Sequence, residues 1–437
     1  MKKIAVGVLV VGAAVFAGIP FMTGIVAETK SKELVEKVNQ DSAQYGAIEL
    51  VEYSRGFRSS TSSYSYKPSE ALQKLLKVDS VDYDCNINHG ITGVDYECLM
   101  ANKGAYKEFL DKYLAGKDPL TVSGHISAFG GIDQSILISP LEMNSEQGEK
   151  VIIAEPLELT SRFDSSTSGI DYDGSLPSIV FESANGKFDL SDVEMSGDLE
   201  KIEGDLYVGD VNMSAKSFKA SDQKGQVSFN DLVVDTSTKE KGEDVSSEMS
   251  LKAATLEIPN QAGETDTFSD ILFDAGMSGM KKDALIEYIK ANEEMQKAIL
   301  AGGAEQNAAA ASMTQLIPAA EKLMQKGLGV NLKTSFNSDD VSNSIDFDLN
   351  LENSLAFSEL MGFLFAPDEM LKNFTGNLKV DLKQELLSKY PILAIGIGSN
   401  PLFVQSDKGV TLDVKLDSAL TVNGQKTTVA ELQSQFR

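Results

Sequence analysis

Four apolar residues at every second position, Val410, Leu412, Val414 and Leu416, make the cleanest alternation in the chain. A second run carries Ile345, Phe347, Leu349 and Leu351 on one parity and Asp346, Asp348, Asn350 and Glu352 on the other. Side chains alternate between the two faces of a strand, so such a segment buries one face and wets the other. A chain built from segments of this kind is confined to antiparallel sheet with one apolar face that must be covered. The run Leu378, Val380 and Leu382 repeats the pattern.

Between Leu120 and Pro259 the sequence reads as a long series of short strands, such as Ser135–Ile138, Val151–Ala154, Val227–Phe229 and Leu256–Ile258. Asn185-Gly186 separates two apolar runs, and Asn423-Gly424 does so near the end. Both residues of such a pair accept positive φ, which marks a tight hairpin. Turn signals recur throughout, which predicts meanders in place of βαβ units. The texture changes at Ser278. Leu285, Tyr288 and Ile289 form a helical stripe within Met280–Leu300, and a second helix is predicted over Met313–Lys326. Short helices are also expected over Thr29–Tyr45, Pro68–Leu76, Ala105–Leu114 and Ser354–Leu371, and after Thr428. The expected class is α+β: an N-terminal transmembrane helix, then a long twisted antiparallel β-sheet of meanders with a helical insert. The expected divisions are 1–28 for the anchor, 29–277 for a mainly antiparallel β region, 278–327 for the insert, and 328–437 for a β-rich region with short helices.

The anchor follows from Met1-Lys2-Lys3 and the uncharged run Ile4–Ala27. About 20 apolar residues at ~1.5 Å each cross the hydrocarbon. A cleavable signal has an apolar core of about 7–15 residues and a small-x-small site, and Ile25-Val26-Ala27 is a poor one. An uncleaved anchor is therefore favoured over a cleaved signal. Lys2 and Lys3 stay in the cytoplasm, so the chain after Glu28 is exported.

Export bears on the phrase Val-Asp-Tyr-acid-Cys, which occurs at Val81–Cys85 and again at Val94–Cys98 and contains the only two cysteines. Folding the chain back near Asn88–Gly93 sets Cys85 opposite Cys98, within the ~4.4–6.8 Å between Cα atoms that a disulfide requires. An oxidising compartment favours the bond. Free thiols are the next reading, and a metal or catalytic role with His89 the third. Zinc wants four ligands and this stretch supplies three.

The net charge of −26 opposes nucleic-acid binding, which needs clustered cations. Two histidines rule out a multi-histidine metal centre. The sequence contains no phosphate-binding glycine loop, no His-Glu-x-x-His and no Gly-x-Ser-x-Gly. Asp171-Tyr172-Asp173-Gly174 has the look of a calcium loop but lacks further ligands, so a turn is the better reading. His125 is read as structural, and Arg55-Gly56 as a turn. No catalytic residue, cofactor or metal is assigned. Met277, Met280, Met295, Met313 and Met324 suit adaptable packing, or a groove for acyl chains.

Tyr53-Ser-Arg-Gly-Phe-Arg-Ser-Ser60, Ile87-Asn-His-Gly90, Ser183-Ala-Asn-Gly-Lys-Phe188 and Leu420-Thr-Val-Asn-Gly-Gln-Lys426, in that order after the Lys-Lys anchor, resemble the YdgA-like family of bacterial envelope proteins, which has no known function. Where the family tends to have His-Gly-Pro this chain has His89-Gly90-Ile91. The resemblance implies a single-pass inner-membrane protein with its bulk in the periplasm, allows a homodimer, and supplies no catalytic residues. Two functions are carried forward. One is a non-enzymatic envelope protein holding lipid or another apolar ligand in a sheet groove. The other is a scaffold or assembly factor that binds partner proteins. An envelope hydrolase has no motif behind it.

Overall fold

The computed structural model describes residues 35, 36, 39 and 46–435, apart from 57, 70–72, 74–78, 91–92, 128–130, 145–148, 165–168, 204–205, 224, 261–263, 301–315, 357–358, 360–367, 369–370 and 418. The anchor expected over Ile4–Ala27 lies outside these residues, as do most of the helices expected over Thr29–Tyr45, Pro68–Leu76 and Ser354–Leu371. Among the described residues no helix is long and apolar enough to cross a membrane.

The chain divides into two units, one comprising Met1–Lys201 with Glu294–Ala310 and the other Ile202–Glu293 with Ala311–Arg437. In the first, β1 (Gly46–Arg55), β2 (Ser59–Pro68), β3 (Val81–His89), β4 (Gly93–Met100), β5 (Leu120–Ser127) and β6 (Ile132–Ile138) pair in succession, all antiparallel. Helix α1 (Gly104–Tyr113) stands between β4 and β5. The short β7 (Leu141–Asn144) and β8 (Lys150–Ile153) pair with each other. After them, β9 (Leu157–Phe163) joins β6 to β10 (Gly169–Ser183). The Asn185-Gly186 turn leads from β10 into β11 (Gly186–Glu203).

Alternation builds this unit's core. Ile87, Val94, Tyr96, Val122, Ile126 and Ile136 project from β3–β6 to one side and are almost wholly buried. Val35, Tyr64 and Tyr106 pack against that side. Tyr96 lies across Gly124 on the neighbouring strand, where a Cβ would fall 2.5 Å from its hydroxyl, and that hydroxyl donates to Gln134 Oε1 at 3.2 Å. Glycine at 124 is what leaves room for the ring.

The second unit is a longer meander. Its strands are β12 (Leu206–Asp222), β13 (Gly225–Lys241), β14 (Asp244–Pro259), β15 (Thr265–Lys281), β16 (Gly329–Ser338), β17 (Val341–Leu351), β18 (Phe374–Lys383), β19 (Val404–Ser406), β20 (Gly409–Leu416), β21 (Leu420–Val422) and β22 (Gln425–Lys426). Each of β12–β17 pairs with the next, β18 pairs with β17 and β20, and β19, β21 and β22 complete the far edge. Helix α2 (Lys282–Leu300) follows β15, and a further helical segment spans 316–323. Helices α3 (Gln384–Lys389) and α4 (Pro391–Gly398) lie between β18 and β19, and α5 (Val429–Gln435) ends the described chain.

The strands from β10 to β15 are 15 to 18 residues long, which corrects the expectation of short strands there. Residues that read as turns sit inside strands. Asp192, Asp231 and Asp270 all have positive φ, at 49°, 49° and 50°, and stand 39 residues apart (231 − 192 and 270 − 231). Each occupies the same phrase, Leu190-Ser-Asp-Val193, Phe229-Asn-Asp-Leu232 and Phe268-Ser-Asp-Ile271. The left-handed conformation suits aspartate among non-glycine residues. It interrupts period-two alternation, so apolar residues three apart share a face: Phe268 and Ile271 pack into one cluster. The partners fit the kink. Lys216 forms an ion pair with Asp231, and Asn337 Nδ2 donates to Asp270 Oδ2 at 2.8 Å. Pro177 of β10 falls opposite Asp192, where the ladder lapses and no donor is needed. These three hairpins form an internal repeat.

Candidate functional site

Register fixes what each face of the second unit presents, because directly opposed residues in an antiparallel pair share a face. One cross-strand row runs Met213, Val234, Leu251, Phe273, then Thr334 and Ile345. The next runs Val211, Thr236, Met249, Ala275, then Leu332 and Phe347. A third brings Thr238, Ser247, Met277, Val330 and Leu349 together. These rows hold aliphatic, aromatic and thioether groups with a few hydroxyls and no charge. Thr238 and Ser247 satisfy each other at 3.2 Å.

The opposite face is ionic. Asp274, Lys333, Asp346, Lys379 and Asp413 are successive cross-strand neighbours, so charge alternates in sign along the row. Ser250 Oγ donates to Asp274 Oδ1 at 2.6 Å. Opposite charges placed this way support pairing, and water solvates the rest.

The apolar face is covered at its two ends. At one, α3 and α4 bring Leu386, Leu387, Ala394 and Ile397 onto Val380, Leu382, Val410 and Leu412. This end is fastened by Tyr390, whose hydroxyl donates to Asp266 Oδ2 at 2.6 Å, and by Lys389, which bridges Asp266 and Asp339 at 3.7 and 3.0 Å. The Tyr390 hydrogen bond holds the buried Asp266 carboxyl below the usual carboxylate range, and burial together with that same bond pushes the Tyr390 phenol up. At the other end Ala284 of α2 and Leu323 pack on Leu206, Val245 and Met280. Between them Val234, Leu251, Phe273, Leu332 and Phe347 are only half-buried, and Met213, Met249 and Met277 stand 37–39 % exposed. The face can bind by dispersion and loss of apolar surface to water. The three rows contain no charged side chain.

Cys85 and Cys98 pair directly across β3 and β4, with Cα atoms 4.1 Å and sulfurs 2.06 Å apart, buried in the first unit's core. His89 lies elsewhere in its contacts: Nε2 is 3.0 Å from Ser60 Oγ, and its backbone N–H donates to Arg58 O at 2.8 Å. Two of the phrases that carry the resemblance, Tyr53–Ser60 and Ile87–Gly90, thus meet at one corner. Ser60 is buried, so the pair fastens that corner and exposes no nucleophile. His125 Nδ1 pairs with Asp95 Oδ1 at 2.7 Å. Asp171–Gly174 is not a turn but extended strand within β10, where Asp171 faces Arg162 of β9. Among the described residues no group of three or more His, Cys, Asp or Glu could hold a metal ion. Local alternation does not reveal the open rows, because Val211–Met213 and Leu232–Val234 are short apolar runs on either side of a kink or a turn. The recurring apolar-Ser/Asn-Asp-aliphatic phrase is the signal that would have joined them.

Fold and face together define a large antiparallel β-meander protein with one sheet face charged and the other apolar and partly open. The chain belongs to DUF945, a family of bacterial proteins of unknown function, whose model matches residues 1–430. Comparison with curated proteins and with solved structures finds no match.

Proposed function

We propose that this YdgA-like protein is anchored in the bacterial inner membrane by Ile4–Ala27, stands in the periplasm, and holds acyl chains of a lipid on the open apolar rows of β12–β17. The single observation that carries this reading is the uncharged, half-exposed surface of those rows. Six strands at ~4.8 Å spacing give ~24 Å of width, against ~15 Å for the acyl layer of one leaflet. Exposed methionines adapt to chains of varying shape, and hydroxyls at Thr236 and Thr334 tolerate an ester without demanding a charge. The role is binding and maintenance of the envelope and involves no catalysis.

The test is native mass spectrometry of detergent-extracted protein, followed by lipid analysis. Unmodified protein is expected to carry lipid, and Leu251→Asp to lose it while keeping its circular dichroism spectrum. Unmodified protein free of lipid, with photo-crosslinkers at Met213 and Met249 capturing none, would overturn the reading.

A further inference from the structure

We infer that the outer side of α4 is a membrane-contact surface, seated in the interfacial layer of a phospholipid bilayer. The helix Pro391-Ile-Leu-Ala-Ile-Gly-Ile-Gly398 is apolar all round. Its inner side is accounted for, since Ala394 and Ile397 pack on the sheet. Its outer side is not. Ile392 is 77 % and Ile395 72 % exposed, and Leu393 is exposed beside them. A helix without a polar face is normally covered on every side.

Charge selects the occupant. The chain carries −26 overall, which keeps most of its surface away from anionic lipid. Between Lys389 and Asp407 there is no charged residue. At the borders Lys389 is neutralised by Asp339, and Asp407 is followed by Lys408. The patch is therefore locally neutral as well as apolar, and it can enter the headgroup–acyl boundary without bringing carboxylates with it. The unbroken apolar run Ile4–Ala27 elsewhere in the chain supplies a tether that raises the local concentration of membrane. The inference rests on the tether in the proposed function and is independent of any ligand on the sheet face.

The experiment places a polarity-sensitive fluorophore on the full chain through Ile395→Cys, with Cys85 and Cys98 kept oxidised, and reconstitutes it in vesicles of phosphatidylethanolamine and phosphatidylglycerol. Flotation reads the tether, and quenching by nitroxide-labelled lipid reads the patch. The probe at 395 is expected to shift to the blue and to be quenched by lipid nitroxide, while a probe introduced as Gln226→Cys stays in water. A vesicle-bound protein whose probe at 395 remains in water overturns the inference and leaves the tether standing. Shielding that grows with protein-to-lipid ratio and is insensitive to lipid nitroxide assigns the patch to a second copy, and also overturns it. Protein that fails to float overturns both. Because Ile395 is exposed, labelling there does not disturb the core, and Ile392→Cys provides an independent second position.

Discussion

β3–β6 and β13–β17 are built on the same alternation and finish differently. In the first, Ile87, Val94 and Val122 are buried to within 2 % of complete. In the second, Leu251, Phe273 and Phe347 occupy equivalent positions on the apolar face and remain only partly buried. The difference lies in what arrives from outside the strands. The first face receives Val35 and Tyr106 and is bridged from within by Cys85 and Cys98. The second is roofed only at its ends. Alternation decides which face is apolar, whereas coverage is decided by elements distant in sequence.

The sharpest way to break this comparison is to cut the same side-chain type from both faces. Ile87→Ala is expected to cost about 2–5 kcal/mol, because it leaves a cavity in a closed core. Leu251→Ala is expected to cost about 1–2 kcal/mol, since part of its surface is already wet. Urea unfolding of each variant, with probes in each unit, measures both. Equal losses would mean that the second face is closed in solution.

Next in size is the staple. Removing both thiols, Cys85→Ala with Cys98→Ala, should lower the stability of the first unit by about 3 kcal/mol in the chain-entropy model for a loop of about 15 residues. The second unit should be unchanged. Thermal unfolding with and without reductant reads this, and alkylation of the denatured, unreduced protein should label neither cysteine.

A third test sharpens the comparison at the roofed end. Asp266 has a folded pKa held below its unfolded value of about 3.9, so its contribution is fully present above about pH 4 and disappears as pH falls through the folded pKa. Tyr390→Phe removes the hydrogen bond to this carboxylate, for an expected loss of about 1.5–3 kcal/mol. In the variant the acid-induced loosening of α3 and α4 should begin at higher pH. Hydrogen exchange of those helices across an acid titration follows it. A variant that tracks the unmodified protein would remove Asp266 from the account.

The smallest effect concerns the kinks. Asp231→Val places a branched side chain at positive φ and should cost about 1–2 kcal/mol. Asp231→Asn should stay within a few tenths of a kcal/mol even though it neutralises the partner of Lys216, because an exposed ion pair contributes little. Chemical denaturation compares the two. A larger cost for asparagine than for valine would mean that charge, and not backbone shape, sets the residue.

These contrasts show what was legible in the sequence. Val410–Leu416 and Ile345–Leu351 are strands as their alternation requires, and hairpins form at both Asn-Gly pairs, although only Asn423-Gly424 takes the positive φ expected, the first turn being Ala184-Asn185 with Gly186 already in its strand. The register of Cys85 against Cys98 follows from the repeated phrase. Strands β10–β15 are longer than local alternation indicates, because Asp192, Asp231 and Asp270 break the period from inside a strand. The partial cover of the apolar face was not legible, since it depends on Leu386 and Ile397 at one end and Ala284 at the other reaching strands far away in the chain.

The aspartate kink also makes the meander countable. Each 39-residue repeat carries its own bend and its own turn, and within the second unit β12–β13 pairs with β14–β15. Inserting a further hairpin of this kind into the second unit would widen its sheet by two strands, ~9.6 Å. Sheet width in such a chain is thus a quantity that gene duplication can alter in whole steps, in the manner of links added to a chain-mail strip.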